Sequence, residues 1–180
     1  HSTFFDQGGG IVQERVNPTL EMTSREYEPG HSMEWVWLLG WRARMFKLPF
    51  DPFATRLYVH YCSAGIPEGE TPMGLAVNHE PVDPNRRLWS QTEALKAHLA
   101  IAEHGPRELR VTALGRAIEC GKAIFDTWIL DEPAGGWCDS FDADGNPTAK
   151  DIPASMYYHI LVMVKELTRS AKKLRKSHFA

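Results

Sequence analysis

Helical periodicity, interrupted by clusters of Gly, Pro and Asp, is the feature that most constrains how this chain folds. Apolar residues recur at intervals of three and four over five stretches, a spacing that places them on one side of an α-helix. The stretches cover residues 31–45, 52–64, 90–105, 106–131 and 153–172. Their alternation with turn-forming residues predicts helices that pack as helical hairpins.

Short strand-like stretches lie between these helices, at residues 73–78 and 136–141. Residues 142–147 (Asp-Ala-Asp-Gly-Asn-Pro) predict a turn, because Asp, Gly and Pro supply the backbone angles that turns need. They lack the later Glu of a calcium-binding loop. Ser90 and Glu93 match a capping box, so we assign Glu93 to a helix start rather than to a site. The pattern therefore predicts an all-α fold with small hairpin strands.

Composition limits the class of protein and of ligand. The 180 residues, 43% of them hydrophobic, suit a single globular domain. A net charge of −3 favours a neutral or small polar ligand over nucleic acid or an acidic membrane. Residues 165–176 are rich in Lys and Arg, but a solvated last helical turn explains them better than a nucleic-acid patch. We find no transmembrane or signal-peptide pattern, and three cysteines without metal-site spacing predict free thiols and a cytoplasmic location.

Residues 28–34 contain the sharpest local feature of the sequence. A turn ending in Gly brings His31 onto the first turn of a helix, and Glu34 follows on the same helical face. The Glu34 carboxylate can therefore hydrogen-bond the imidazole or the same substrate oxygen. The helix N-terminus favours neutral imidazole, which is the form that a general base needs. A capped helix with a structurally satisfied histidine is the alternative interpretation.

Two further groups of residues are candidates for a site. His159 lies on the apolar fifth helix, where a histidine is ordinarily a core residue. Residues 83–93 crowd guanidinium, indole and amide groups at the start of a helix. Trp89 can stack on the apolar face of a pyranose, although it can also serve as a hydrophobic staple. Arg87 and Gln91 can hydrogen-bond sugar hydroxyls.

Together these motifs resemble the N-acylglucosamine 2-epimerase family, which also includes mannose isomerases and cellobiose 2-epimerases. The motifs that carry the resemblance are Glu-Pro-Gly-His with Glu-Trp at 28–35, Arg-Leu-Trp with Gln-Thr-Glu at 87–93, Gly-Gly-Trp at 135–137 and Tyr-His at 158–159. The resemblance implies an (α/α)6 toroid whose inner helices surround a sugar pocket. Residues 1–180 would form the C-terminal part of that single catalytic domain. Because the chain begins at His1 without Met, we expect an N-terminal part with further pocket residues to be missing, and the fragment alone to be inactive.

The resemblance also implies roles for individual residues. His31 and His159 would form a pair of bases flanking the substrate, with Glu34 orienting His31 or the substrate and Trp89 matching a pocket tryptophan. One histidine would take the C2 proton of an open-chain aldose, and nearby donors would stabilise the enediol or enolate. Return of the proton to C1 gives a ketose, whereas delivery to the opposite face of C2 gives the epimer. This route requires no metal and no other cofactor.

The segment before the late histidine bears on the substrate. Cellobiose and acylglucosamine epimerases commonly have a Trp-Lys pair there, which residues 152–159 lack. The smaller Ala154 and Ser155 resemble mannose-isomerase members, which implies isomerisation of mannose to fructose. N-acylglucosamine 2-epimerisation is the alternative within the family.

Two interpretations from other classes stay open at this point. His31, Glu34 and His159 are residue types that bind zinc in hydrolases, although the usual His-Glu-x-x-His spacing is missing. A non-catalytic helical interaction domain, with aromatic residues lining a partner groove, is the second. Because half a toroid exposes its inner face, we also expect this chain to self-associate or to pack against a missing partner segment.

Overall fold

Five α-helices dominate the residues that the computed structural model describes, which are 4–5, 10–132 and 135–178, the last five by their backbone alone. The helices are α1 (Pro29–Phe46), α2 (Pro52–Ser63), α3 (Leu88–His104), α4 (Arg107–Ala123) and α5 (Tyr157–His178). All five predicted helices are present, in the predicted order. A Pro starts both α1 and α2, where a missing backbone N–H costs nothing, and the Asp51 side chain caps α2 by accepting from Phe53 N–H.

The fourth helix is shorter than predicted. It ends at Ala123, and the chain continues as a π-helical turn, Ile124–Trp128, instead of as α-helix to residue 131. The Trp128 side chain is buried, and its indole N–H donates to the Gly69 carbonyl at 3.3 Å. The fifth helix is likewise preceded by a 3₁₀ turn, Ala154–Met156, so that α5 begins at Tyr157.

The predicted capping box at Ser90 is wrong, because α3 begins two residues earlier. Strand β3 (Pro81–Arg87) runs directly into the helix, and Leu88 N–H donates to the Asp139 carbonyl at 3.0 Å. Ser90 and Glu93 are therefore inside the helix, where both are fully buried. Neither side chain caps α3.

Short strands connect the helices on one side of the fold. In chain order they are β1 (Glu26–Tyr27), β2 (Pro72–Ala76), β3, β4 (Ile129–Leu130), β5 (Gly136–Trp137) and β6 (Ser140–Phe141). Strands β1, β2, β3 and β6 form an antiparallel sheet in that order, and β4 pairs with β5. The predicted strand at 73–78 corresponds to β2, and the one at 136–141 is divided into β5 and β6. Strand β3 was not predicted, because the Asp-Pro-Asn interruption at 83–85 masks its alternation, and the structure accommodates it with register shifts opposite β2.

The core is built around α3, which packs against α1, α4 and α5, while α2 packs on α1. Thirteen of the seventeen α3 residues are buried, so this helix has no solvent-facing side along most of its length. Gly40 allows α1 to come close to α3, because a Cβ there would lie 2.9 Å from the Ala100 Cβ. Ion pairs hold α5 in place: Arg44 of α1 donates to both carboxylate oxygens of Glu166, and Arg169 contacts Glu103 at 2.7 Å.

Two further expectations can be compared with the structure. Cys62, Cys120 and Cys138 are free thiols, as predicted. No helix among the described residues combines the length and apolar character needed to span a membrane. The cytoplasmic location stays a prediction.

We predict that Leu95→Ala lowers the free energy of unfolding by about 2–5 kcal/mol, because Leu95 is fully buried in α3 and its truncation leaves a cavity. The matched control is Val111→Ala on α4, where the side chain is 83% exposed and the change should stay within about 0.5 kcal/mol. Urea denaturation of both variants measures the difference. Equal losses would contradict the central position of α3.

Self-association stays a prediction for which the structure supplies a surface. The exposed large apolar side chains on the described part of α1 and α5 are Trp35, Trp41, Met45, Phe46, Tyr157, Tyr158, Leu161 and Val164. Apolar side chains grouped in this way favour association with a protein surface. Light scattering should therefore report a mass above 20.4 kDa for this chain. A well-behaved monomer would contradict the prediction.

Candidate active site

One cavity of about 270 Å³ collects most of the residues predicted to form the site. It lies where the first turn of α1, the start of α3 and the start of α5 meet. Its lining residues are His31, Glu34, Arg87, Trp89, Ser155, Met156, Tyr158 and His159. Five of the six candidate residues therefore share one space, although His31 and His159 are 128 positions apart in the chain.

The His31 imidazole is held by a carboxylate that the sequence analysis did not identify. Its Nδ1–H donates to Glu14 Oε2 at 2.9 Å, and Glu28 Oε2 lies 3.8 Å away. The hydrogen bond to Glu14 raises the pKa of His31 above its ordinary value, and the charges of Glu14, Glu28 and Glu34 add to this effect against the cost of burial. This direction is opposite to the one expected from the helix N-terminus, because the hydrogen bond to the Glu14 carboxylate favours the charged ring.

The His159 imidazole is held in the same manner. Its Nδ1–H donates to Glu93 Oε1 at 2.7 Å, and the Glu93 side chain is fully buried. Only 12% of the His159 side chain is exposed, compared with 38% for His31. Because a carboxylate occupies Nδ1 in both residues, Nε2 is the ring nitrogen that remains for a ligand in each case.

Trp89 is near both imidazoles. Its ring centroid is 5.0 Å from that of His31 and 6.0 Å from that of His159. Gly30 makes room for the indole, because a Cβ at this position would lie 2.6 Å from Trp89 Cη2. The Gly of the Glu-Pro-Gly-His motif is thus required by close packing against Trp89. The ring of Tyr158, the residue before His159, packs against the His159 ring with 3.9 Å between the centroids.

Glu34 contributes a carboxyl group to the cavity wall. Burial raises its pKa, and the charge of Glu93 raises it further, while Lys96 and the two imidazoles partly counteract this. A carboxyl group with a raised pKa can carry a proton nearer neutrality and donate a hydrogen bond. Glu14, rather than Glu34, holds His31 Nδ1, so Glu34 is available to the cavity.

The two predicted sugar-binding polar residues differ in their placement. Arg87 lines the cavity, where its Nε and Nη2 donate to Asp139 Oδ2 at 3.2 and 2.8 Å. Gln91 does not line it, and its assignment to substrate binding is wrong. The Gln91 side chain is fully buried, accepts from Thr71 N–H, and donates to the carbonyls of Thr71 and Arg87. It ties the segment before β2 to α3 instead of facing a ligand.

Two residues of this arrangement were missed from the sequence, Glu14 and Glu93. Glu14 lies in a segment without regular periodicity, and no sequence signal points to it. Glu93 carried a signal that the capping assignment obscured, because it follows Trp89 by four residues and so shares its helical face. His31, Glu34 and His159, the residues considered above as zinc ligands, do not form such a cluster. The described residues whose possible ligand atoms lie within 4.8 Å of one another are Glu14, Glu28 and His31.

Comparison with known structures defines the fold class. The chain superposes on a sugar epimerase from a ruminal bacterium with a TM-score of 0.75 and 18% identity, covering 93% of this chain and 44% of that one. It superposes on the cellobiose 2-epimerase of Bacillus thermoamylovorans B4167 with a TM-score of 0.71 and 20% identity, with the same coverage. A D-mannose isomerase gives 0.68 and 18%, covering 80% and 37%. The fold is part of an (α/α)6 barrel, which confirms the predicted fold class, while its place as the C-terminal part of the barrel stays a prediction.

The family follows from the sequence comparisons. The profile of the N-acylglucosamine 2-epimerase (GlcNAc 2-epimerase) family matches residues 3–163. The chain is 34% identical to a mannose-6-phosphate isomerase of Rhizobium meliloti (strain 1021) over 185 residues, which cover 95% of this chain and 46% of that protein. The chain belongs to the N-acylglucosamine 2-epimerase family, and it spans about half the length of this curated relative.

We predict that Glu14→Gln lowers the titration midpoint of His31, because the variant removes the charge that favours the imidazolium. NMR titration of the His31 ring measures this midpoint. The matched control is Glu26→Gln on the neighbouring strand β1, where the side chain is exposed and the His31 midpoint should stay near that of the wild type. An unchanged midpoint in Glu14→Gln would show that the hydrogen bond does not set the protonation of His31.

The same pair predicts a pH dependence of stability. A histidine whose pKa is higher in the folded than in the unfolded chain stabilises the fold fully below the unfolded value, and this contribution is lost as the pH rises through the folded value. Wild-type unfolding free energy should therefore lose the His31 contribution above the ordinary histidine range, and Glu14→Gln should show a smaller loss. Urea denaturation at several pH values tests this.

Proposed function

We propose that this segment carries the proton-transfer residues of a sugar isomerase or epimerase that acts at C2 of an open-chain aldose. The observation that carries the proposal is that His31 and His159 line one cavity, both close to Trp89, and that each is bonded through Nδ1 to a carboxylate. Membership in the N-acylglucosamine 2-epimerase family and the epimerase and isomerase structures with the same fold support it.

The geometry supports a mechanism with two bases. Nε2 of one imidazole removes the C2 proton, the C–H electron pair forms a C1–C2 double bond, and the aldehyde oxygen becomes an enediolate oxygen that accepts a proton. Isomerisation follows when the O2 proton leaves, C2=O forms and C1 receives a proton. Epimerisation follows when the O1 proton leaves, C1=O forms again and the other imidazole delivers a proton to the opposite face of C2. Neither route needs a redox partner.

Glu34 has a suitable place and charge to assist the intermediate. It lines the cavity together with both imidazoles, and burial and the charge of Glu93 raise its pKa. In its protonated form it can donate a hydrogen bond to the enediolate oxygen, where negative charge develops in the transition state. Trp89 then supplies a flat apolar surface for the carbon skeleton of the sugar.

The charges around the cavity favour a free hexose over a phosphorylated one. Arg87 is the one permanent cation among the described lining residues, and its charge is already compensated by Asp139 at 2.8 Å. A phosphate group needs uncompensated cations or free N–H donors, whereas hydroxyl groups need only hydrogen-bond partners. With the smaller Ala154 and Ser155 in place of the Trp-Lys pair of the epimerases, we propose mannose as the substrate and fructose as the product.

Loss of the C2 proton provides the test. The full-length protein, including the expected N-terminal part, is incubated in D₂O with mannose, and NMR follows the C2–H signal and the appearance of fructose. Mannose 6-phosphate and N-acetylglucosamine are run in parallel. We predict that His31→Ala and His159→Ala each lower the exchange rate by about 10²–10⁴-fold, because each removes a general base or acid. The matched control is His104→Ala, at the end of α3, which removes an imidazole that is paired with Glu103.

Each outcome of this test discriminates between the hypotheses. Exchange that persists at the wild-type rate in both variants would reject the assigned bases. Binding of a sugar without any exchange would favour the non-catalytic interaction domain. Turnover of N-acetylglucosamine in preference to mannose would replace the proposed substrate with an acylated one while keeping the two-base mechanism.

A further inference from the structure

A buried lysine lies directly behind the His159 side of the cavity. Only 2% of the Lys96 side chain is exposed, and its Nζ donates to Glu93 Oε1 at 2.7 Å. The ammonium also lies 4.2 Å from the centroid of the Trp37 ring. Lysines are almost never buried without a specific partner, since removal of a charge from water is costly. Lys96 does not line the cavity, so the mechanism above leaves its charge unexplained.

One oxygen atom connects this lysine to the imidazole. Glu93 Oε1 accepts both from Lys96 Nζ and from His159 Nδ1, each at 2.7 Å. Its other oxygen, Oε2, is buried without a hydrogen-bond partner among the described residues. The position of Glu93 Oε1 is therefore fixed by these two donors, and any change in one of them acts on the other through a single atom.

We propose that Lys96 is a positioning residue for His159, which it keeps neutral with its Nε2 lone pair available to the substrate. This rests on the proposed function of His159 as a base. With Lys96 present, the buried Lys96–Glu93 ion pair has no net charge, and His159 donates its Nδ1–H to Glu93 as a neutral imidazole. Without Lys96, the buried Glu93 carboxylate would obtain its compensating charge by protonating His159, because an unpaired charge in the interior is unfavourable.

The arrangement around the other histidine shows what Lys96 adds. His31 is bonded to Glu14, and Glu28 and Glu34 add further negative charge, so that its pKa is raised. The charged and titratable groups around His159 are Glu93 and Lys96 of α3, Glu34 and His31 of α1, Tyr158 of α5, and Arg87 of β3. Of these, Lys96 is the cation that contacts the carboxylate partner of His159. Lys96 is therefore the feature that distinguishes the surroundings of His159 from those of His31.

The Lys96→Met variant tests the proposal, with Lys173→Met as the matched control. Lys173 pairs with Glu103 at the surface, so the control removes the same charge without reaching the cavity. Two readouts are taken: the NMR titration of the His159 ring in the protein without sugar, and the pH profile of C2–H exchange with mannose. In Lys96→Met, both the His159 midpoint and the acidic limb of the exchange profile should move to higher pH by about one unit or more. Lys173→Met should leave both unchanged, and Lys96→Arg should restore them towards the wild type.

The wild-type protein offers a test that needs no variant. At pH 8, ¹⁵N NMR should show His159 as the neutral tautomer with its proton on Nδ1. This result would support the proposal even if Lys96→Met failed to fold. A charged ring or a proton on Nε2 would overturn it, as would a folded Lys96→Met variant with an unmoved His159 midpoint. If the midpoint moves but the wild-type protein exchanges no sugar proton, the role of Lys96 is supported and the proposed function fails.

Discussion

The burial of α3 on nearly all sides is the constraint on which the rest of the structure depends. A helix without a solvent-facing side must find a partner for every polar side chain that it carries, because an unpaired polar group in the interior is costly. The buried polar side chains of α3 include Gln91, Glu93, Lys96 and His98. Gln91 hydrogen-bonds the segment before β2, and Glu93 hydrogen-bonds α5. Lys96 makes a cation–π contact with Trp37 of α1, and His98 hydrogen-bonds Tyr58 of α2.

These polar contacts also determine what the helix can do. His98 shows the structural use of a buried imidazole, since Tyr58 donates to its Nδ1 and its Nε2–H donates to Glu68. Both ring nitrogens are occupied, so His98 has none left for a ligand. His159 has one nitrogen bonded to Glu93 and lines a cavity with the rest of its ring. The candidate catalytic histidine, His159, therefore differs from the core histidine, His98, in having one hydrogen-bonded ring nitrogen instead of two.

Sequence periodicity predicted the five helices well, because their apolar spacing reflects packing against a common core. It did not locate strand β3, whose alternation is broken by residues 83–85, and it placed the start of α3 two residues late for the same reason. The cavity residues came from local motifs. Their partners were harder to predict: Glu14 precedes His31 by 17 positions and Glu93 precedes His159 by 66, so no local pattern links them. Gln91 was misassigned because sequence alone does not show that α3 is buried on nearly all sides.

The two carboxylate–imidazole pairs differ in their charged surroundings, and this difference bears on which histidine donates a proton and which accepts one. Glu14 is half-buried beside further carboxylates, so the field around His31 favours the imidazolium, which can give up a proton. Glu93 is fully buried and pairs with Lys96 as well as with His159, each at 2.7 Å, and this is the basis of the proposal that His159 is neutral. Proton transfer at a single carbon needs one group that accepts and one that donates at the same pH, which two identical imidazoles would supply poorly. In the proposal made for Lys96, this one buried lysine is what makes the two histidines unlike.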